Sequence, residues 1–286
     1  MPKFLSFIAA AALIAYPIRL SAQETCAKQA VGTFDVSIWK SGDALGFTTR
    51  GLAVDADGAP NSYRVDGNGL SYTCDGVFGI ENGVPVTQKT DKARWQKVCQ
   101  DAWAKAQLTK DYSKVRIVGF AQDSSGPVVQ KVGDPLPNEA YITTTSMTVP
   151  GTPPNTQRHY VNAVDIPYVV LPSQLTKEFN MSYGDVALVF RPKTGAMAFA
   201  IFADCCSLGE GSVKLHQDLK NDPIVVKSGI QRAKAGIGDN VVTILFPGKH
   251  PQPSTDNAVW YKNIQDVGKE AFAAWGGRGK LDACMK

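Results

Sequence analysis

The chain has little of what marks most ligand chemistries. It contains only three histidines, His159, His216 and His250, and they are scattered without metal-ligand or catalytic-triad spacing. Its six cysteines include no C-x-x-C pair and have no nearby pair of histidines, so a structural zinc site is not expected. Ser212 lacks the G-x-S-x-G setting of a hydrolase nucleophile. The segment Asp55-x-Asp57-Gly58 opens like a calcium loop, but the third oxygen position and the closing Glu are missing, so it reads first as a tight acidic turn. Internal repeats, heptad seams and low-complexity tracts are absent. Charge of one sign is lacking too: the net charge is +4, too small to argue for nucleic acid or an anionic membrane as partner.

Long apolar runs are confined to the first residues. Lys3, the stretch from Phe4 to Ile14 and the small-residue site Leu20-Ser21-Ala22 have the three parts of a secretory signal. Pro17 and Arg19 interrupt the run before it reaches the length of a bilayer span. The expectation is a signal peptide over 1–22 and one domain over 23–286, secreted or delivered to a bacterial periplasm, with no membrane association after cleavage. Removing Lys3 and Arg19 lowers the net charge from +4 to +2. The cysteines Cys26, Cys74, Cys99, Cys205, Cys206 and Cys284 all follow the cut, and an even number in an exported chain reads as disulfides. Adjacent Cys205 and Cys206 are not expected to bond each other; the pairing is otherwise open.

Two helices stand out. Between Thr90 and Leu108, the residues Trp95, Val98, Cys99, Ala102, Trp103 and Ala106 share a face, with Thr90 or Asp91 as the cap. Further on, Trp260, Ile264, Val267, Ala271 and Trp275 repeat at helical spacing after Ser254-Thr255-Asp256, and Gly276-Gly277 stops them. Four of the five tryptophans therefore read as packed inside. Short β-branched or aromatic runs bounded by turn residues fill most of the rest: 115–120, 168–171, 186–190, 198–202 and 241–246. The fold class expected is mainly β (α+β), a β-barrel with peripheral helices.

The segment Ala198-Phe-Ala-Ile-Phe-Ala-Asp-Cys-Cys-Ser-Leu-Gly-Glu-Gly-Ser-Val carries the candidate chemistry. An apolar strand delivers Asp204, a short loop follows, and Glu210 opens what reads as a helix. Two carboxylates across such a junction suit glycosidic hydrolysis, in which one protonates the leaving oxygen and the other activates water or attacks the sugar. A helix N-terminus would lower the pKa of Glu210, so the acid and base roles stay open.

The blocks Val54–Tyr63, Gly133-Asp-Pro with Tyr141–Ser146, His159–Pro172, Phe199–Val213 and Val242–Gly248 occur in an order that resembles the fungal-type chitosanases of glycoside hydrolase family 75 and their bacterial relatives. The resemblance implies an endo-acting, inverting hydrolase of β-1,4-linked glucosamine polymer, with Asp204 and Glu210 as the catalytic pair; separately, no cofactor or metal is expected. Inversion needs carboxyls about 6.5–9.5 Å apart. The pattern Ile-Pro-x-x-x-Leu-Pro, a Gly-Asp turn and Ala-Asp…Gly is similar to six-stranded double-psi barrels. Two stretches depart from the family: the loop between Asp204 and Glu210 is short and holds Cys205-Cys206, and residues 82–114 have no counterpart.

For a cationic polysaccharide substrate, Asp55 and Asp57 are candidates to line the cleft and pair with amines, and Tyr141 and Thr144 to offer hydroxyls. Two rivals remain: a peptidoglycan-cleaving enzyme that works with one Asp, and a wall-binding protein without activity. Asn180-Met-Ser182 is a glycosylation sequon, of consequence only in a host that modifies exported proteins.

Overall fold

The computed structural model describes residues 26–285; the expected signal segment lies outside them. Strands dominate, and five α-helices accompany them among the described residues. Nine strands form one sheet: β1 (Gln29–Thr33), β2 (Ser37–Ser41), β3 (Ala44–Thr49), β4 (Ala53–Asp55), β5 (Tyr168–Val170), β6 (Val186–Arg191), β7 (Ala196–Asp204), β8 (Glu210–Ser212) and β9 (Val241–Phe246). Their order is β1-β2-β3-β9-β6-β7-β5-β8-β4. The pairings are antiparallel apart from β5 with β7 and β8 with β4, which run parallel.

The central strands read as unbroken apolar runs because both faces of the sheet are covered. Val186, Leu188, Ile201, Val242 and Ile244 turn to one side and pack with Trp260, Ile264, Ala271 and Trp275. The alternate residues Ala187, Val189, Ala200, Phe202 and Leu245 turn to the other and meet Leu52, Leu175, Leu215 and Leu219.

The strand order also forces the sheet to curl. β3 and β4 lie six ladder steps apart, about 29 Å in a flat sheet at the usual strand spacing. Only residues 50–52 join them in the chain, a reach of about 14 Å at most. The ladder stays open among the described residues; Leu52 pairs instead with Ile237 in an isolated bridge.

Helix α1 (Trp95–Thr109) starts later than Thr90 or Asp91 because the chain first makes a turn, in which Asp91 Oδ1 accepts the Arg94 N–H. This helix covers a small sheet of its own, Val77–Glu81 with Val84–Pro85 and Val115–Ile117. Around it lies a separate core of Val77, Trp103, Phe120 and Tyr141. Short helices α2 (Ser173–Glu178) and α3 (Val213–Asp218) supply Leu175 and Leu215 to the second face of the nine-stranded sheet. Helix α4 (Asn257–Trp275) has Asp256 as its cap, accepting from the Ala258 and Val259 N–H groups. Gly276, at φ 125°, ends α4 as expected, but α5 (Gly277–Cys284) follows at once, so the glycine pair redirects the helix rather than ending helical structure. Trp103, Trp260 and Trp275 are buried and Trp95 is half-buried.

Cys26 pairs with Cys284 and Cys74 with Cys99. The remaining pair corrects an expectation: Cys205 and Cys206 are bonded to each other. The peptide bond between them is cis and their Cα atoms stand 3.2 Å apart. Among the described residues no helix is long and apolar enough to cross a membrane.

Candidate active site

The curl of the sheet brings the C-terminal ends of β4 and β7 together. In the ladder these strands are separated by β8 and β5, about 14 Å in a flat sheet. Yet Asp55, Asp57 and Asp204 each place a carboxylate oxygen within 4.8 Å of the other two.

Each carboxyl is held by its local chain. Asp55 ends β4, and its Oδ1 accepts the Asp57 N–H at 2.9 Å, which makes the tight acidic turn. Gly58 completes the turn at φ 82°, where a Cβ would stand 2.0 Å from the Val161 carbonyl oxygen, so only glycine fits. Asp204 ends β7 opposite Val170. Its Oδ1 accepts three donors: the Ser146 hydroxyl at 2.7 Å, the Ser146 N–H at 3.0 Å and the Cys205 N–H at 2.8 Å. Tyr168 on β5 reaches into the group, donating its hydroxyl to the Asp57 carbonyl at 2.8 Å. Asp204 is buried, Asp55 and Asp57 are half-buried, and Ser146 is exposed, so the cluster opens to solvent on the Ser146 side.

Burial and mutual repulsion keep protons in this cluster. Desolvation is the main cause of raising Asp55 to about 8; the charges of Asp204 and Glu210 add to it, against the Asp57 N–H and Tyr168. Asp57 is raised well above the carboxylate range, first by burial and then by Asp55 and Asp204, with the Tyr63 hydroxyl opposing. Burial also raises Asp204, but its Ser146 and Cys205 donors counter that, so Asp204 is the member best equipped to hold a charge. The same surroundings push the buried phenols of Tyr63 and Tyr168 well up.

Glu210 occupies a different setting from the one expected. It is the first residue of β8, paired with Ala53, and α3 begins only at Val213 with Ser212 as its cap. The helix dipole argument therefore does not apply to it. Ser212 of the same strand pairs with Asp55, so Glu210 lies on the strand beside β4 and outside the three-carboxyl group.

Tyr141 and Thr144 are not in this group. The Tyr141 ring stacks on Phe120 at 4.7 Å, and its hydroxyl accepts from Gln107. Thr144 is half-buried on the segment leading to Ser146, and its N–H donates to the Gly119 carbonyl. Three participants were not singled out from sequence: Ser146, Tyr63 and Tyr168. Tyr168 carried a usable signal, since a phenol inside a buried aliphatic strand needs a polar partner. Ser146 carried none.

Three carboxylate oxygens so close would also suit a hard divalent cation; that use would need all three deprotonated, against the direction in which burial pushes them. No protein-family model matches the chain, and no curated protein matches it.

Proposed function

We propose that the protein is an exported glycoside hydrolase that cleaves chitosan or a related amino-sugar polymer with inversion, through Asp204 and Glu210. The observation that carries this reading is the convergence of Asp204 with Asp55 and Asp57 beside Glu210, at strand ends that are far apart in the chain. In such a group the three donors to Asp204 favour its ionised form, while burial favours the protonated forms of Asp55 and Asp57; glycosidic hydrolysis requires both states. The ordered blocks that resemble family 75 run through the same elements: β4, the Ser146 segment, β5, β7 and β8. The curl between β3 and β4 supports a double-psi type of barrel as the scaffold. Three disulfides fit an oxidising compartment outside the cytosol.

A single-carboxylate, peptidoglycan-cleaving mechanism has one observation in its favour: Glu210 stands outside the tight three-carboxyl group. Reducing-end release from chitosan, chitin, a cellulose derivative and peptidoglycan, with Asp204→Asn as control, tests the reading. Release from chitosan that disappears in Asp204→Asn is expected; no release from any polymer would sink it. Glu210→Gln separates the two mechanisms, since an enzyme needing only Asp204 keeps most of its activity.

A further inference from the structure

We propose that the cavity between residues 67–75 and helix α1 is a sugar subsite, which holds a glucosamine unit of the polymer beyond the carboxyl cluster; this rests on the chitosan-cleaving reading. The cavity has a volume of about 270 Å³ and is lined by Tyr72, Asp75, Gln96, Gln100 and Trp103. Gln96, Gln100 and Trp103 are spaced to share one face of α1, inside the stretch of sequence without counterpart in the family that the chain resembles.

The two walls are fixed to each other. Cys74 on the loop is bonded to Cys99 on α1. Arg232 pins the loop from behind, donating to the carbonyls of Gly67, Gly69 and Ser71. Its guanidinium lies 4.3 Å from the Tyr72 ring centroid, which orients that ring. Tyr72 nevertheless remains 48% exposed, an aromatic held in place and open to solvent, as sugar stacking requires. Asp75 is exposed; its Oδ2 accepts the Tyr72 N–H at 3.0 Å, and Oδ1 has no partner among the described residues. A carboxylate with a free oxygen beside a fixed ring and two side-chain amides is suited to a protonated amino sugar.

The cavity adjoins the cluster. A Cβ on Gly76, the residue after Asp75, would stand 2.8 Å from the Tyr63 hydroxyl. That hydroxyl acts on the Asp57 carboxyl, as does the charge of Asp75. Tyr63 thus lies between the Asp57 carboxyl and Gly76, the neighbour of the cavity-lining Asp75.

The test is calorimetric titration of the full chain carrying Asp204→Asn with glucosamine and N-acetylglucosamine oligomers. Adding Tyr72→Ala or Gln100→Ala should weaken binding of the glucosamine oligomer about tenfold. Adding Asp75→Asn should erase the preference for the amine over the acetylated form. Leu108→Ala, on α1 but 84% exposed and outside the cavity, should change nothing. If the Tyr72, Gln100 and Asp75 variants bind as their parent does, the subsite is overturned while hydrolysis by the wild type still stands. If the parent binds neither oligomer and the wild type cleaves no chitosan, both readings fall.

Discussion

Ser146 holds one oxygen of Asp204 twice, with its hydroxyl at 2.7 Å and its backbone N–H at 3.0 Å. Both bonds favour the ionised carboxyl, against the burial that raises its pKa. Ser146→Ala removes the side-chain donor and leaves the backbone donor in place. A hydrogen bond to a charged group is worth about 1.5–3 kcal/mol, so the Asp204 pKa should rise by about one to two units. If Asp204 works ionised, the acid limb of the pH–rate profile moves up by that amount while the plateau changes less. An unmoved limb would mean that Asp204 does not titrate in the reaction.

The three-carboxyl group invites a metal, and removing metal separates the alternatives. A cation would require Asp55, Asp57 and Asp204 all to be deprotonated, whereas their burial favours protons. The expected outcome is that EDTA leaves hydrolysis unchanged and that millimolar calcium or magnesium leaves the melting temperature unchanged. A rise of several degrees with either ion would show ligand-linked stabilisation and turn the cluster into a cation site.

Gly58 sets the acidic turn by a steric demand that no other residue meets. Its φ of 82° and the 2.0 Å approach of a built Cβ to the Val161 carbonyl combine strain with a clash against backbone. Gly58→Ala should cost at least about 2 kcal/mol, visible as a lower urea midpoint. Because Asp55 and Asp57 flank the turn, hydrolysis should fall further than the folded fraction. Equal losses would show that the turn serves stability alone.

The local parts of this fold were legible in the sequence. The strand runs and the Asp256 cap follow from side-chain periodicity and capping chemistry, which act within a few residues. Asp204 at the end of an apolar strand was legible for the same reason. What could not be read is non-local. That β4 meets β7 depends on the strand order β7-β5-β8-β4, which no spacing in the chain encodes. Asp55 and Asp57 were candidates for the cleft wall, yet their contact with Asp204 comes only from the curl. Glu210 was misplaced because Gly-Glu-Gly-Ser resembles a helix start, whereas pairing with Ala53 draws it into a strand. The bond between Cys205 and Cys206 was not legible either, since sequence neighbours are not expected to pair.

Protons held by the cluster also have a consequence for stability. Asp55 titrates near 8 in the fold against 3.8 ordinarily, and Asp57 is shifted in the same direction. Between those values the native state binds protons that the unfolded chain has released, so stability should fall as pH rises and be lost through about 8, by at most about 1.4 kcal/mol per pH unit for each proton. Buried His216 works the other way, since its lowered pKa adds stability as pH rises, but only up to its ordinary value of 6.5. The exposed carboxylates whose pKa is lowered, such as Asp66, Asp91 and Asp123, act only in the acid range. The window that isolates the cluster is therefore about pH 6.5 to 8.5. Across it the urea midpoint of the wild type should decline, and Asp55→Asn should flatten the decline and exceed the wild type at the upper end by on the order of 2 kcal/mol. A wild-type midpoint that rises across this window would mean that Asp55 and Asp57 are ionised in the fold and that the cluster does not hold protons near neutral pH.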